Sequence, residues 1–207
     1  MACRPPPGDA AEITFKTGAS AHAMLAGSYI PESAAMRIAF ESPDQPDVRA
    51  LIDALDAYQV PLYPAESHHG VDIAALCRPD VLFAVARDAA GRAVGCGALI
   101  IGTGYGEIKR MYTDPSQRGK GVGSALLRRL EDEARQRGVT RFALETGNRQ
   151  PQAVALYARL GYRTCGPFGP YGDDPHSVFM QKPAVAQADE AGVQDASCQP
   201  VASSKTL

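Results

Sequence analysis

Thr113-Asp114-Pro115-Ser116-Gln117-Arg118-Gly119-Lys120-Gly121-Val122-Gly123 is the stretch on which the fold turns. Before it, Glu107 to Thr113 reads as a strand ended by Asp114-Pro115. After it comes a helix of about Gly121 to Arg137, with an apolar stripe of Val122, Leu126, Leu127, Leu130 and Ala134 and a natural stop at Gly138. Three alternating glycines at a strand-to-helix junction leave backbone N–H groups uncovered at a positive helix terminus. Arg118 and Lys120 add charge, so the arrangement suits a pyrophosphate. Two nucleotide motifs fail on spacing: there is no Gly-x-x-x-x-Gly-Lys-Ser/Thr, and Gly119, Gly121 and Gly123 do not give Gly-x-Gly-x-x-Gly. The competing reading is a plain turn whose glycines only permit tight packing of strand on helix.

Upstream, Met36 to Glu41 reads as a strand and a helix opens around Asp44 to Asp47. Val48, Leu51, Ile52 and Leu55 then fall at i, i+3, i+4 and i+7, and Pro61 closes the segment. A loop from Leu62 to Gly70 leads to a short helix, Ile73 to Leu76, and Val81 to Arg87 and Ala93 to Ile101 form a hairpin across Asp88 to Arg92. Downstream come a strand (Arg141 to Thr146), a helix (Pro151 to Leu160) and two last strands (Tyr162 to Cys165 and Val178 to Gln181). In the long helix, Glu131 with Arg135 and Glu133 with Arg137 are i, i+4 pairs expected on the outer face. The fold class is α/β (mixed α+β), a mixed, largely antiparallel sheet with helices on both faces. We expect one domain over residues 36–182, with a disordered extension over 1–35 and a disordered tail over 183–207, both lacking sustained periodicity.

The chain has 207 residues, 45 % hydrophobic and 21 % charged, and a net charge of -2. That suits a folded protein with one core and gives no global field for nucleic acid or anionic membrane. The five cysteines are scattered without metal-ligand spacing, so no metal is expected. No apolar run approaches the roughly 20 residues of a membrane span, and no convincing signal peptide opens the chain; a cytoplasmic location is expected.

The glycine turn, together with Ala153 to Tyr157 and Gly161-Tyr162, resembles the GNAT superfamily of acyl-CoA-dependent N-acyltransferases. Glu145-Thr146-Gly147 and the stretch from Pro167-Phe168-Gly169 to Met180 are similar to a bacterial subgroup of small acetyltransferases. The resemblance implies acetyl-CoA as donor, held by Met111, Tyr112 and Thr113 and by Arg118, Gly119, Lys120, Gly121, Val122, Gly123 and Ser124. Gln150 stands where many members carry Asn.

Acetyl transfer from a thioester needs a neutral amine, a donor for the developing oxyanion and a proton for the departing thiolate. The resemblance makes Glu107 the candidate base, acting through water, and Tyr157 the candidate acid. By period 2, Glu107 is expected to share a face with Lys109, Met111 and Thr113. The plainer alternatives are a solvated strand-end carboxylate and a core tyrosine whose hydroxyl finds a partner. Cys165 reads as a small apolar residue near a strand end.

The Leu62 to Gly70 loop and the Gly166 to Pro175 insert are expected to flank the acceptor. Besides Tyr63 they carry Glu66, His68, His69, Asp173 and Asp174, a rim suited to a small cationic amine or amino acid. A protein-lysine acetyltransferase and a non-catalytic acyl-CoA sensor are the alternatives, and the protein is expected as a monomer or homodimer.

Overall fold

The computed structural model describes residues 13–15 and 36–183. Its strands are β1 Ile13–Phe15, β2 Met36–Phe40, β3 Val81–Arg87, β4 Ala93–Ile101, β5 Gly106–Thr113, β6 Phe142–Gly147, β7 Arg163–Thr164 and β8 Ser177–Lys182. They form one sheet in the order β1-β2-β3-β4-β5-β6-β8-β7. Every pairing is antiparallel except β5 with β6. The helices are α1 Pro46–Gln59, α2 Ile73–Leu76, α3 Val122–Gln136 and α4 Pro151–Arg159. Within the expected N-terminal tail, Ile13–Phe15 is instead a strand, with Ile13 opposite Ile38. The rest of that extension, and the tail after Pro183, lie outside the described residues.

Both faces of the sheet are covered, which is why β3 is an unbroken apolar run rather than an alternating one. Leu82, Ala84 and Ala86 point to α3 and meet Leu126, Leu127 and Leu130. Phe83 and Val85 point the other way, to Val48, Leu51 and Ile52 of α1 and Leu76 of α2. Each fully buried leucine of α3 contributes roughly 1.5–3 kcal/mol of burial.

The outer-face reading of Glu131 and Glu133 is corrected. They are 1 % and 7 % exposed: the β7–β8 segment returns over Glu131, while Glu133 is taken up by Arg129 and Arg137 one turn away on either side. Glu131 accepts from the Tyr162 hydroxyl at 2.9 Å and pairs with Lys182 at 2.6 Å and Arg135 at 2.7 Å. A buried carboxylate is tolerable only when its lone pairs are met in this way.

A bulge in β5 decides what the site looks like. Cys96 lies opposite Tyr112 and Ala98 opposite Lys109, so Arg110 and Met111 together oppose Gly97. Arg110 takes a φ of 53°, and a Cβ on Gly97 would collide with the Met111 sulfur. Alternation therefore breaks. Glu107 and Lys109, opposite Ile100 and Ala98, belong to the α1 side; Met111 and Thr113, opposite Gly97 and Gly95, belong to the α3 side. The expected common face of Glu107, Lys109, Met111 and Thr113 does not exist.

Candidate active site

β5 and β6 pair only where Gly106–Ile108 meets Phe142–Leu144. Beyond Ile108 the β6 edge of β5 has no strand partner, so its main-chain groups up to Thr113 are open to a ligand. Two cavities enter this divergence from opposite sides.

The first, of about 550 Å³, contains Met111, Tyr112, Thr113, Arg118, Gly119, Gly121, Val122, Gly123, Ser124 and Gln150. Gly119 and Gly121 have φ of 77° and 84°, a region that side chains other than glycine enter at a cost. The turn so formed aims the N–H groups of the first turn of α3, which has no side-chain cap, into the cavity. Gly123 serves packing instead: a Cβ there would lie 3.2 Å from Leu156 of α4. Arg118 donates from Nε to the Thr113 carbonyl at 3.3 Å, with its guanidinium 5.8 Å from the centre of the Tyr58 ring. Lys120 differs from expectation: it is not in the lining, and its Nζ donates to Gln117 Oε1 at 3.1 Å. Free N–H groups, a cation and a slot between α3 and α4 fit the pyrophosphate and pantetheine of acetyl-CoA.

The second cavity, of about 640 Å³, lies on the α1 side and includes Tyr63, His68, His69, Lys109, Arg110, Glu145 and His176. The two share Leu55, Met111, Gln150, Ala153 and Tyr157. Tyr157 is 6 % exposed, and its hydroxyl makes no hydrogen bond among the described residues. Burial first, and then the nearby charge of Glu145, push its ionisation well above the usual phenol range, so it stays protonated. A core tyrosine ordinarily finds a partner; this one opens its hydroxyl where the cavities meet.

Glu107 lies elsewhere. Its carboxylate is 3.0 Å from Lys109 Nζ and accepts from the Tyr171 hydroxyl at 2.6 Å, and it lines neither cavity. Burial, then the hydrogen bond to Glu107, raise the Tyr171 ionisation far above its usual range. The Tyr171 ring packs against Phe168, Phe179 and His69, which anchors the insert to the sheet. Of Glu107 and Glu145, it is Glu145 on β6 that lines the second cavity, as Asp53, Asp56 and Asp72 also do; Glu145 accepts from Ser177 Oγ at 2.7 Å.

The structure separates the residues of the expected rim. Tyr63, His68 and His69 line the second cavity, whereas Glu66, Asp173 and Asp174 do not. Asp174 accepts from the His176 N–H at 2.8 Å, and with Ser67 this hydrogen bond holds its carboxyl below the usual range. Tyr63 reaches across to β6: its hydroxyl accepts from the Arg149 N–H at 3.0 Å, and any Cβ on Gly147 would strike its ring. Lys109, Arg110, Glu145 and His176 are lining residues to which the sequence reading gave no role, although Glu145 and His176 lie within quoted stretches and Lys109 was placed on the face of Glu107. Cys165 lines neither cavity, and its thiol is pushed up by burial. Among the described residues no helix is long and apolar enough to cross a membrane.

An anion-ready helix terminus beside a splayed parallel strand pair, with a free tyrosine hydroxyl between two cavities, is the layout of a thioester-using acyltransferase. Residues 50–162 match the acetyltransferase (GNAT) family, and the chain belongs to it: it is an acetyl-CoA-dependent N-acetyltransferase. An IAA acetyltransferase of Azospirillum brasilense is 53 % identical over 148 residues, 70 % of this chain and 96 % of that one. The uncharacterized N-acetyltransferase YsnE of Bacillus subtilis is 42 % identical over 122 residues, 58 % of this chain and 80 % of that one. The crystal structure of a proposed acyl-CoA N-acyltransferase from Klebsiella pneumoniae superposes with a TM-score of 0.62 at 41 % identity, covering 72 % of this chain and 98 % of that one. A PaiA N-acetyltransferase from Thermoplasma acidophilum, solved with coenzyme A, shares the fold with a TM-score of 0.54 at 19 % identity, covering 72 % and 98 %.

Proposed function

We propose that the protein moves an acetyl group from acetyl-CoA to the primary amine of a small free molecule, by direct attack in a ternary complex. The observation that carries this is the free Tyr157 hydroxyl at the junction of the two cavities. Donor and acceptor enter from opposite sides and need no covalent enzyme intermediate.

The uncovered N–H groups at α3 and Arg118 hold the pyrophosphate. The main chain of Met111 to Thr113, freed where β5 leaves β6, takes the pantetheine arm and the thioester carbonyl. Tyr157 gives its proton to the departing sulfur; a phenol held protonated can do so at neutral pH. Of the two carboxylates, Glu145 borders the acceptor and is assigned the role of accepting the amine proton, through water. Glu107 holds Lys109 and Tyr171 in place.

Tyr63 reaches across the acceptor cavity to β6, which supports a free small molecule over a lysine on a folded protein. The test is a panel of amines, the twenty amino acids, IAA and Lys peptides with acetyl-CoA, read by product mass. Free amines are expected to lead in kcat/KM. Peptides outperforming all of them would replace this reading with a protein acetyltransferase, and binding of acetyl-CoA without any turnover would point to a sensor.

A further inference from the structure

Arg110 keeps a donor that nothing in the fold uses. Its side chain is 9 % exposed, Nε donates to the Val71 carbonyl at 2.9 Å, and Nη1 pairs with Asp56. Nη2 has no partner among the described residues, yet it is not one of the polar atoms sealed from solvent. It therefore opens onto the cavity that Arg110 lines. The bulge delivers it there, since the positive φ keeps Arg110 on the α1 side while Met111 passes to the α3 side. Gly70 leaves room for it: a Cβ there would lie 2.7 Å from Nη2.

The other charged groups of this cavity are already engaged or lie away from Nη2. The three donors of the Lys109 ammonium go to the His69 carbonyl, the Tyr171 hydroxyl and Glu107. Asp56 is neutralised by Nη1, Asp72 caps α2 through the Ala75 N–H, and Asp53 is exposed on α1. Glu145 belongs to the Tyr157 end, where its charge acts on that phenol. A guanidinium N–H that faces a cavity is a ready charged donor to whatever enters it, and its best complement is a carboxylate.

We infer that the acceptor is an amino acid whose carboxylate is received by Arg110 Nη2 while its amine lies toward Tyr157 and Glu145. This deepens the small-acceptor reading above and rests on it. Arg110 would then set specificity without taking part in the chemical step.

The experiment compares each amino acid that is acetylated with its carboxamide and its decarboxylated amine. An α-amino amide offers more neutral amine than the acid does, so preference for the acid cannot come from amine basicity. The wild-type protein should favour the acid by about 10- to 100-fold in kcat/KM, the worth of one charged hydrogen bond. In Arg110→Gln and in Gly70→Ala, whose new Cβ displaces the guanidinium, that ratio should fall severalfold; being a ratio within one preparation, it is unaffected by lost folded protein. Equal or better use of the amide or decarboxylated amine by the wild type, or an unchanged ratio in both variants, overturns the inference alone. Acetylation of no free amine overturns it together with the small-acceptor reading.

Discussion

The donor cleft and the acceptor cavity share Tyr157 but are made of different material. The donor cleft draws about half of its lining from the short run Met111 to Ser124, where the φ angles of Gly119 and Gly121 turn main-chain N–H groups toward it, and the rest from α1 and from Gln150 to Arg159. The acceptor cavity is drawn from more distant segments: α1, the Tyr63 to Gly70 loop, β5, β6, α4 and His176, with charged and imidazole side chains among them. A site made of backbone is written locally and changes little when side chains are exchanged. A site made of side chains from distant segments can be rebuilt one residue at a time, so acceptor choice can drift while the donor stays acetyl-CoA.

The sharpest way to break this contrast is at the residue both cavities use. Tyr157→Phe should lower kcat by roughly 10²-fold, the usual worth of general-acid help, and leave the Kd for acetyl-CoA near wild type. Unchanged turnover in a steady-state assay would return Tyr157 to the core. Next come changes confined to the donor side. Acetyl-CoA at about 100 times its Kd should stabilise the wild type by about 2.7 kcal/mol, seen as a rise in Tm. Gly121→Val, which forces a β-branched residue to φ 84°, and Arg118→Ala, which removes phosphate charge, should each reduce that rise while acceptor KM moves little. No rise in the wild type at millimolar acetyl-CoA would remove the basis of the donor assignment.

The acceptor side is tested by setting the two carboxylates against each other. Glu145→Gln should lose about tenfold in kcat/KM at low pH and recover as pH rises toward the amine pKa, because only amine already neutral in solution can then react. Glu107→Gln should follow the wild-type profile in shape, and the opposite assignment of these two profiles would make Glu107 the base. The smallest effect on turnover belongs to a residue that serves neither cavity. Burial works against the Glu41 charge, but hydrogen bonds from Arg87 and Gln45 outweigh it and hold the carboxyl below its ordinary value of about 4.3. The sign follows: this stability is present above that value and is lost as pH falls through the lower folded-state value. Glu41→Gln should therefore lower Tm at pH 7 and flatten the acid limb of a Tm-against-pH curve, with kcat/KM near wild type at 25 °C; an unaltered acid limb would show that the Glu41–Arg87 pair does not set it.

What could be read from the sequence divides along the same line. Val81–Arg87, Ala93–Ile101 and Ile73–Leu76 have the bounds their residue patterns predict, and the α3 stripe from Val122 to Ala134 is the buried face. Those signals are short-range. The bulge is invisible because Glu107 to Thr113 contains no turn residue, and its place depends on Gly97 in the neighbouring strand. Helical period put Glu131 outside because it cannot know that Tyr162 and Lys182 return to cover it. Lys109, Arg110 and Glu145 were missed for a related reason: their partners His69, Asp56 and Ser177 lie 40, 54 and 32 residues away in the chain.

The single extra residue at Arg110 gives β5 two parities. Up to Lys109, odd-numbered side chains face α1; from Met111 onward, odd-numbered side chains face α3. Removing Arg110 would restore plain alternation with Met111 still opposite Gly97 on the α3 side, and would withdraw the guanidinium from the second cavity. Exchanges of side chain along β5 disturb one cavity at a time, whereas a residue gained or lost outside the bulge turns side chains on both faces at once. Over generations this strand should accept new letters and refuse any change of count between Gly106 and Thr113.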